Sequence, residues 1–240
     1  MRVLHLCLSN WFIDNVAYKE NELIREHVRQ KHHVLVIAST EIHSPKGKII
    51  YTQPSKYISS EGAMIIRIPY LKYFPNLISK KLRFYENLKS HIIKFKPDRI
   101  IFHGASAGAL LTVSNYVKSH NNVYLYIESH EDEYNSGLNI ISKYILHKLF
   151  YGLVLRIASA NARRIFCCNL ESIKFVNSIY KVKKSKLTFL PIGGRVDSDD
   201  DYKNKRFSFR SKFSLDEKNI LIVQSGKQDK SKNLIESLSA

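Results

Sequence analysis

Residues 1–11 of the chain read MRVLHLCLSNW, and residues 99–106 read RIIFHGAS. In both stretches a short run rich in Val, Ile and Leu ends abruptly in small or polar residues. Apolar residues fill nearly every position of these runs, which is typical of strands covered on both faces, as in a parallel sheet. Each stretch therefore predicts a buried strand followed by a loop at its carboxyl end.

The same pattern recurs along the chain. Segments with helical spacing of apolar residues lie between the runs, at Tyr18–Lys31, Ile78–Phe95, Ala107–Ser119, Ser136–Asn161 and Leu170–Tyr180. This alternation predicts right-handed βαβ crossovers and a doubly wound α/β domain with a Rossmann-like parallel sheet. The predicted strands are Arg2–Leu8, His33–Ala38, Met64–Ile68, Arg99–His103, Val123–Glu128, Arg164–Cys168, Leu187–Pro191 and Asn219–Gln224.

The composition changes after Pro191. A polar, charged stretch over residues 196–218 predicts an interdomain linker with a short helix at Phe207–Phe213. A buried-strand pattern then begins at Asn219, and a helix start follows it. Because one strand and two helical turns cannot enclose a core, we expect three parts: a Rossmann-like domain over residues 1–195, a linker over 196–218, and the beginning of an incomplete, truncated second Rossmann-like domain over 219–240.

The composition bounds the class of protein. The 240 residues are 44% hydrophobic and 25% charged, which is enough apolar side chain for a globular core. The sequence has no run of about 18 apolar residues, as a membrane-spanning helix needs, and residues 1–8 lack a secretory cleavage site. Cys7, Cys167 and Cys168 have neither the number nor the spacing of a disulfide framework or a zinc site. These features favour a cytoplasmic protein with free thiols and no bound metal.

The chain is strongly basic, with a formal charge of +17 from 38 Lys and Arg against 21 Asp and Glu. Such a surface attracts nucleic acid, anionic lipid or phosphorylated substrates, although lysines spread over a solvated surface explain the total equally well. Between Ile68 and Arg99, basic residues alternate with aromatic ones. This pattern indicates docking on an anionic membrane surface or, alternatively, an ordinary α/β helix with a solvated basic face. The aromatic residues are Tyr70, Tyr73, Phe74, Phe84, Tyr85 and Phe95.

Candidate binding residues follow the predicted strands, because ligands of open α/β sheets bind beyond the carboxyl ends of the strands. Polar residues 9–15 follow the first strand and His103 ends the fourth. An acidic cluster from Glu128 to Glu133 follows the fifth and contains His130, for which a purely structural role is the alternative. The carboxylates at 131–133 fit the positive N-terminal end of a helix.

A different kind of candidate follows the last predicted strand. Lys227 and Lys232 come after a strand and Gly226, and they precede a helix start. Free N–H groups at a helix start, together with two ammonium groups, predict a phosphate site. Fingerprints of dinucleotide-binding domains, P-loop enzymes and α/β-hydrolases do not occur in the sequence.

Taken together, these segments resemble family 4 (group 1) glycosyltransferases, which have two Rossmann-like domains (the GT-B fold), and especially the bacterial surface-polysaccharide members. In the first loop, Asn15-Val16 replaces the Gly-Gly pair of many members, and the Glu-X7-Glu element that holds the donor would lie beyond Ala240. The resemblance rests on Tyr18–Asn21, Gln30–Ile37, Lys96–Ile101, His130 with Tyr134–Ser136, Leu190–Gly194, and Gly226-Lys227 with Lys232-Asn233.

The resemblance implies a retaining, metal-independent enzyme without a cofactor that moves a sugar from a nucleotide-sugar to a glycan or lipid-linked acceptor in surface polysaccharide biosynthesis. His130 would be the catalytic residue that contacts the donor sugar, and Gly226, Lys227 and Lys232 would bind the donor phosphates. The protein would lie in the cytoplasm, peripheral on the inner face of the cell membrane. The side chains expected on the acceptor side or in the cleft are Asn10, Asn15, Tyr18, His103, Glu128 and Asn135.

Two other functions stay open at this point. One is a catalytically inactive remnant that binds an acceptor or a membrane. The other is a basic nucleic-acid-binding protein, against which the acidic cluster at 128–133 counts. If the chain is part of an enzyme, we expect these 240 residues alone to be inactive or nearly so, because both halves of such a fold must close around the substrates.

Overall fold

The computed structural model describes residues 1–43, 48–73, 75–133, 136, 142–194, 198–223 and 238. The chain separates into two compact units, Met1–Gly194 and Arg195–Ala240.

Within the described residues, the first unit is built on a sheet of eight strands, seven of them parallel. The strands of this unit are β1 (Arg2–Cys7), β2 (His33–Ser39), β3 (Glu41–His43), β4 (Ile49–Tyr51), β5 (Ser55–Ile58), β6 (Met64–Ile68), β7 (Arg99–Phe102), β8 (Tyr124–Ser129), β9 (Ala162–Cys167) and β10 (Leu187–Phe189). The order across the sheet is β10-β9-β8-β7-β1-β2-β6-β5, with β5 antiparallel to β6 at the edge. Strands β3 and β4 form a separate hairpin.

Helices cover both faces of the sheet, as the predicted doubly wound fold requires. They are α1 (Lys19–Arg29), α2 (Asn76–Leu82), α3 (Leu88–Phe95), α4 (Ala109–Lys118), a π-helix (Ser142–Tyr151) that continues into α5 (Gly152–Asn161), α6 (Leu170–Ser178) and a short 3-10 turn (Lys184–Lys186). Successive residues of β2 alternate between the two faces: Leu35 and Ile37 join one hydrophobic cluster, and Val36 joins the other. The fold class is therefore confirmed, and the seven predicted strands of this unit end within two residues of the observed bounds.

The single helix predicted at Ile78–Phe95 is wrong. Two helices, α2 and α3, replace it, because the chain turns at Arg83 and Asn87, whose φ angles are 54° and 56°. A right-handed helix cannot continue through this left-handed region. Between the turns, Tyr85 pairs with Tyr70 in an antiparallel bridge and donates its hydroxyl hydrogen to the Leu8 carbonyl at 2.7 Å. Tertiary contacts of the intervening residues thus outweigh their helical spacing.

This turn also changes the surroundings of the aromatic residues between Ile68 and Arg99, where membrane docking stays a prediction. Tyr85 is buried in the core, and Tyr70 and Phe95 pack against it. The Phe84 ring meets the Phe150 ring edge-on, with 6.2 Å between centroids. Of the aromatic residues expected there, Tyr73 is exposed and Phe74 lies outside the described residues. The other four aromatic rings are therefore engaged inside the protein.

Strands β3, β4 and β5 were not predicted. Each is only three or four residues long, which is shorter than the apolar runs that marked the buried strands, and the residues of β4 and most of β5 are exposed. An edge strand is specified by pairing with its neighbour more than by its own composition.

In the second unit, α7 (Asp199–Lys212) occupies much of the predicted linker and is longer than the helix expected at Phe207–Phe213. Its N-cap Ser198 accepts a hydrogen bond from the Asp201 N–H at 3.2 Å, and aspartates fill its first turn, where the helix dipole favours negative charge. The strand predicted at Asn219–Gln224 is absent from the described residues 219–223, and Ile220 is 90% exposed. An apolar run becomes a strand only beside a pairing partner. The division at 196–218 and 219–240 stays a prediction.

Helices in the described part of the chain are all too short or too polar to cross a membrane. The three cysteines are free thiols. Burial raises the pKa of Cys7 and of Cys167, the latter to about 12, so both thiols stay protonated and unreactive.

Candidate functional site

The strand order reverses at the boundary between β1 and β7. Strands β2 and β6 lie on one side of this boundary, and β8, β9 and β10 lie on the other. In doubly wound sheets, such a reversal opens a crevice beyond the carboxyl ends of the two central strands. The loops that leave β1 and β7 therefore flank the expected binding position.

Gly104 allows these two loops to meet. Its φ angle is +87°, and a Cβ atom on it would lie 2.7 Å from both Cβ and Oγ of Ser9. The Ser106 N–H donates to Ser9 Oγ at 3.1 Å. Glycine is thus required here both by backbone conformation and by the close approach of the first loop.

A cavity of about 790 Å³ lies over this switch point. This volume is within the range of small-molecule sites. Its wall combines hydrogen-bonding, charged and apolar groups. The lining residues used below are Ser9, Asn10, Trp11, Glu20, Leu77, Arg83, Ser106, His130, Glu131, Ser142, Leu146, His147 and Tyr151.

Glu131 connects the loops after β7 and β8. One carboxylate oxygen accepts hydrogen bonds from the Ala105 N–H at 3.0 Å and the Ser106 hydroxyl at 2.7 Å. The other accepts from the Ser129 hydroxyl at 2.7 Å and the His130 N–H at 3.1 Å. Glu131 itself belongs to no helix of the described residues, and a helix start at residues 131–133 stays a prediction. Its carboxylate is saturated by four donors and fixes the backbone from which His130 extends.

Arg83 closes the cavity from the α2 side. Its guanidinium donates to the Ser9 carbonyl, and also to the Ser106 carbonyl at 3.1 Å. One side chain from the left-handed turn after α2 therefore cross-links the loops after β1 and β7.

His130 is held by Lys19, the first residue of α1. The Lys19 ammonium group lies 2.9 Å from His130 Nε2 and 2.8 Å from a carboxylate oxygen of the buried Glu128. An ammonium group donates hydrogen bonds and cannot accept them. His130 Nε2 must therefore be the acceptor, and the ring proton must sit on Nδ1.

Burial lowers the pKa of His130, and the positive charge of Lys19 lowers it further. Glu128 shows the opposite response: burial opposes its ionisation, but His103 and Lys19 outweigh burial and hold its pKa well below the usual range. At neutral pH the site therefore holds the anionic carboxylate of Glu128, the ammonium group of Lys19 and the neutral imidazole of His130, whose Nδ1–H can serve as a donor.

A row of histidines continues inward from Glu128. His103 Nδ1 lies 2.6 Å from the Glu128 carboxylate, His103 Nε2 lies 2.9 Å from His5 Nδ1, and His5 Nε2 lies 2.9 Å from His27 Nδ1. Because a carboxylate only accepts, His103 donates to Glu128 through its Nδ1–H. The anionic end of the row thus orients the ring of His103, and His5 and His27 continue the row inward. Burial lowers the pKa of His5 and His27, which keeps them neutral.

Asn10 brings a free acceptor to the cavity. Its amide nitrogen donates to Glu20 Oε1 at 2.7 Å, which assigns the amide orientation, since a carboxylate cannot donate. Its Oδ1 atom is buried and has no hydrogen-bond partner among the described residues. A buried acceptor without a partner is costly, so a ligand hydroxyl or N–H donor at this position would be stabilising.

The structure places only some of the predicted site residues at the cavity. Asn10 and His130 line the cavity. Asn15 instead accepts a hydrogen bond from the Ser60 hydroxyl at 2.8 Å, and Tyr18 is an exposed residue at the N-cap of α1. His103 and Glu128 are buried, and Glu128 contacts Lys19, which in turn holds His130; contact of either residue with an acceptor stays a prediction. The predictions for Asn135, Gly226, Lys227 and Lys232 concern positions outside the described residues.

Sequence reasoning missed Lys19, Arg83 and Glu131 as parts of the site. Lys19 lies within the segment that carried the family resemblance, but nothing in its spacing pairs it with a residue 111 positions away. Arg83 was placed inside a predicted helix. His5, in the middle of a buried strand, was the one available signal, because a histidine there requires hydrogen-bond partners on neighbouring elements.

Among the residues that the structure describes, no group of three or more His, Cys, Asp or Glu side chains is arranged to hold a metal ion. The histidines of the row bond to one another and to Glu128, which engages both ring nitrogens of His5 and of His103.

The strand order and the switch-point cavity define a doubly wound, Rossmann-like domain. No protein-family model and no curated protein matches the chain. Solved structures that are similar include the UDP-GlcNAc 2-epimerase of Methanocaldococcus jannaschii, with 10% identity, a TM-score of 0.42, and coverage of 81% of this chain and 46% of that one. The UDP-GlcNAc 2-epimerase of Neisseria meningitidis bound to UDP-GlcNAc has 16% identity and a TM-score of 0.42, over 79% of this chain and 45% of that one.

A third similar structure is trehalose-6-phosphate synthase from E. coli bound with UDP-2-fluoro glucose, with 8% identity and a TM-score of 0.48, over 89% of this chain and 55% of that one. The chain spans about half the length of the structures that it matches. At these identities and TM-scores the likeness concerns the fold, and the fold class rests on the strand order itself.

Proposed function

We propose that this chain is the acceptor-side half of a GT-B glycosyltransferase that moves a sugar from a nucleotide-sugar donor to a glycan or lipid-linked acceptor. The observation that carries the proposal is the neutral His130 beside the switch-point cavity, held by Lys19 and Glu128. The cavity also has the groups that recognise sugars: a free amide oxygen on Asn10, the carboxylate of Glu20 and the indole of Trp11, which is 38% exposed.

In this proposal, His130 binds and orients a sugar and does not abstract a proton. Its Nε2 atom already accepts from Lys19, so the ring presents its Nδ1–H as a donor for a sugar oxygen. A rigid donor is useful because catalysis depends on holding the reacting groups in one geometry. Glu131 maintains that geometry through the His130 backbone, and the histidine row maintains it through Glu128 and Lys19.

The finer features of the proposal come from the family resemblance. They are retention of the anomeric configuration, independence of metal ions, a role in surface polysaccharide biosynthesis, and donor phosphates bound by Gly226, Lys227 and Lys232. Two cationic side chains at the leaving diphosphate would stabilise the charge that develops there. We also propose a cytoplasmic location at the inner face of the membrane, because a lipid-linked acceptor would be presented at that surface.

The proposal is tested by ligand binding to the purified chain, measured by saturation-transfer NMR with a panel of glycans and nucleotide-sugars. We expect at least one glycan or nucleotide-sugar to bind. Asn10→Ala should weaken this binding about threefold to tenfold, the effect of one lost hydrogen bond, and His130→Ala should weaken it by a similar factor.

Ser60→Ala is the matched control, because Ser60 is exposed and bonds to Asn15 away from the cavity lining. Absence of binding by the wild-type chain, or equal binding by all variants, would contradict the proposal. Binding without sugar transfer agrees with the expectation that this chain alone is inactive, and an assay of a chain that also carries the Glu-X7-Glu element then separates an enzyme from an inactive remnant.

A further inference from the structure

The helical segment Ser142–Asn161, formed by the π-helix and α5, has an apolar face directed outward. Ile145, Leu149, Leu153 and Ile157 recur every fourth residue, with 58%, 64%, 52% and 45% of their surfaces exposed. The opposite side of the segment is anchored in the core through Tyr151, Val154, Leu155 and Ala158. The outer stripe is therefore in excess of what the fold needs, and a contiguous exposed apolar stripe indicates an interaction surface.

The charge of this segment is entirely positive. It contains Lys143, Lys148 and Arg156, and residues 142–161 include no Asp or Glu. Lys148 and Arg156 are exposed, and the Lys148 ammonium group lies 5.3 Å from the centroid of the Tyr144 ring, which is itself 50% exposed. Aliphatic residues flanked by basic ones are the arrangement of a helix that lies in the headgroup region of an anionic bilayer.

The same segment borders the cavity. Ser142, Leu146, His147 and Tyr151 line the cavity from one side of the π-helix, and the exposed stripe begins on the other side with Ile145. Across the cavity, Leu77 of α2 is 79% exposed and lines it too. A ligand anchored in a membrane beneath the stripe would have to pass only one helix to enter the cavity.

We propose that the exposed face of Ser142–Asn161 docks on an anionic lipid surface. A second copy of this chain is the competing occupant. A two-fold contact through the face would bring the basic side chains of the two copies together without acidic partners from this segment, which disfavours it. Entry of a lipid-linked acceptor rests on the proposed function, whereas the docking itself does not.

The test is co-sedimentation of the chain with phosphatidylcholine vesicles prepared with and without phosphatidylglycerol. We expect binding to the anionic vesicles that weakens with added salt. Leu149→Glu with Leu153→Glu should reduce the partition coefficient by about tenfold or more, because it places charge on the inserted stripe. Lys148→Gln with Arg156→Gln should reduce it by about fivefold for each charge removed.

Leu170→Glu is the matched control, since Leu170 is 59% exposed on the separate helix α6 and should tolerate the same substitution without loss of binding. Circular dichroism establishes that all variants are folded. The proposal is overturned if the wild-type chain ignores anionic vesicles, if the Leu149 and Leu153 variant binds them equally well, or if that variant only abolishes self-association. The vesicle assay contains no sugar, so a failure of glycan binding does not change its outcome. A failure of vesicle binding likewise leaves the test of glycan binding unaffected.

Discussion

At the scale of single residues, Lys19 links the two titratable groups of the candidate site, His130 and Glu128. Its ammonium group separates the imidazole of His130 from the carboxylate of Glu128 and donates to both. Without it, the anion would act on the imidazole with no opposing positive charge between them.

We expect Lys19→Met to raise the pKa of His130, because a positive neighbour is lost while Glu128 stays. The variant should also lose about 1–3 kcal/mol of unfolding free energy, since the buried carboxylate keeps only His103 as a partner. NMR titration of the ring and urea denaturation measure the two effects. The exposed Lys89→Met serves as control, and an unchanged His130 pKa would show that Lys19 does not determine it.

Gly104 offers a second prediction at this scale. Gly104→Ala should destabilise the protein by about 1–3 kcal/mol, because the methyl group would collide with Ser9 and the backbone has a positive φ angle. In Gly193→Ala the new methyl group meets nothing within 4 Å, so its unfolding free energy should stay near wild type. Equal stability of the two variants, measured by chemical denaturation, would mean that the loops after β1 and β7 are not packed as described.

At the scale of elements, the C-terminal end of α3 holds a side chain in the left-handed region of backbone conformation. Lys96, the C-cap residue that follows α3, has a φ angle of 52° and donates its N–H to the Ile92 carbonyl. Glycine is the preferred residue at such a left-handed C-terminal position.

Lys96→Gly should therefore stabilise the protein by about 0.5–1 kcal/mol, since the left-handed strain of a side chain is removed. Lys94→Gly, two residues earlier and inside α3, should instead destabilise it by about 1 kcal/mol. Thermal unfolding of both variants shows whether the effect of glycine on stability depends on its position in the helix. A loss of stability in both would contradict the assignment of Lys96 as a helix end.

Sequence reasoning predicted best those elements whose pattern of apolar residues lies entirely within the element itself. Strand β6 is apolar at every position except Arg67, and its predicted bounds, Met64–Ile68, coincide with the observed ones. The failure at Ile78–Phe95 has the opposite cause: the apolar spacing continues through Tyr85, but Tyr85 is bound to Leu8 and Tyr70, which are distant in sequence.

At the scale of the whole molecule, several histidines are kept buried and uncharged. Burial is the largest cause of the lowered pKa values of His5, His27, His130 and His147. In the unfolded chain these groups have a pKa near about 6.5. Below that pH the unfolded state binds more protons than the native state, which shifts the equilibrium toward unfolding.

The unfolding free energy should therefore be highest above about pH 6.5 and should fall as the pH decreases below it, by up to about 1.4 kcal/mol per pH unit for each fully shifted group. Urea denaturation at several pH values across this range measures the slope. His33→Gln, which changes an exposed histidine, should leave the slope as it is. Stability that rises on acidification would contradict the neutral histidine row.

The amino-acid sequence by itself determined the class of fold, because buried parallel strands and amphipathic helices are local patterns that repeat along the chain. It also identified His130 as a candidate, since a polar residue after a strand must lie at the ligand-binding edge of such a sheet. Only the tertiary structure decided what His130 can do, because its tautomer and charge depend on Lys19 and Glu128, which different elements bring to it. For the same reason only the structure located the exposed face of Ser142–Asn161: burial is a property of packing, and equivalent apolar spacing occurs on both sides of that helix.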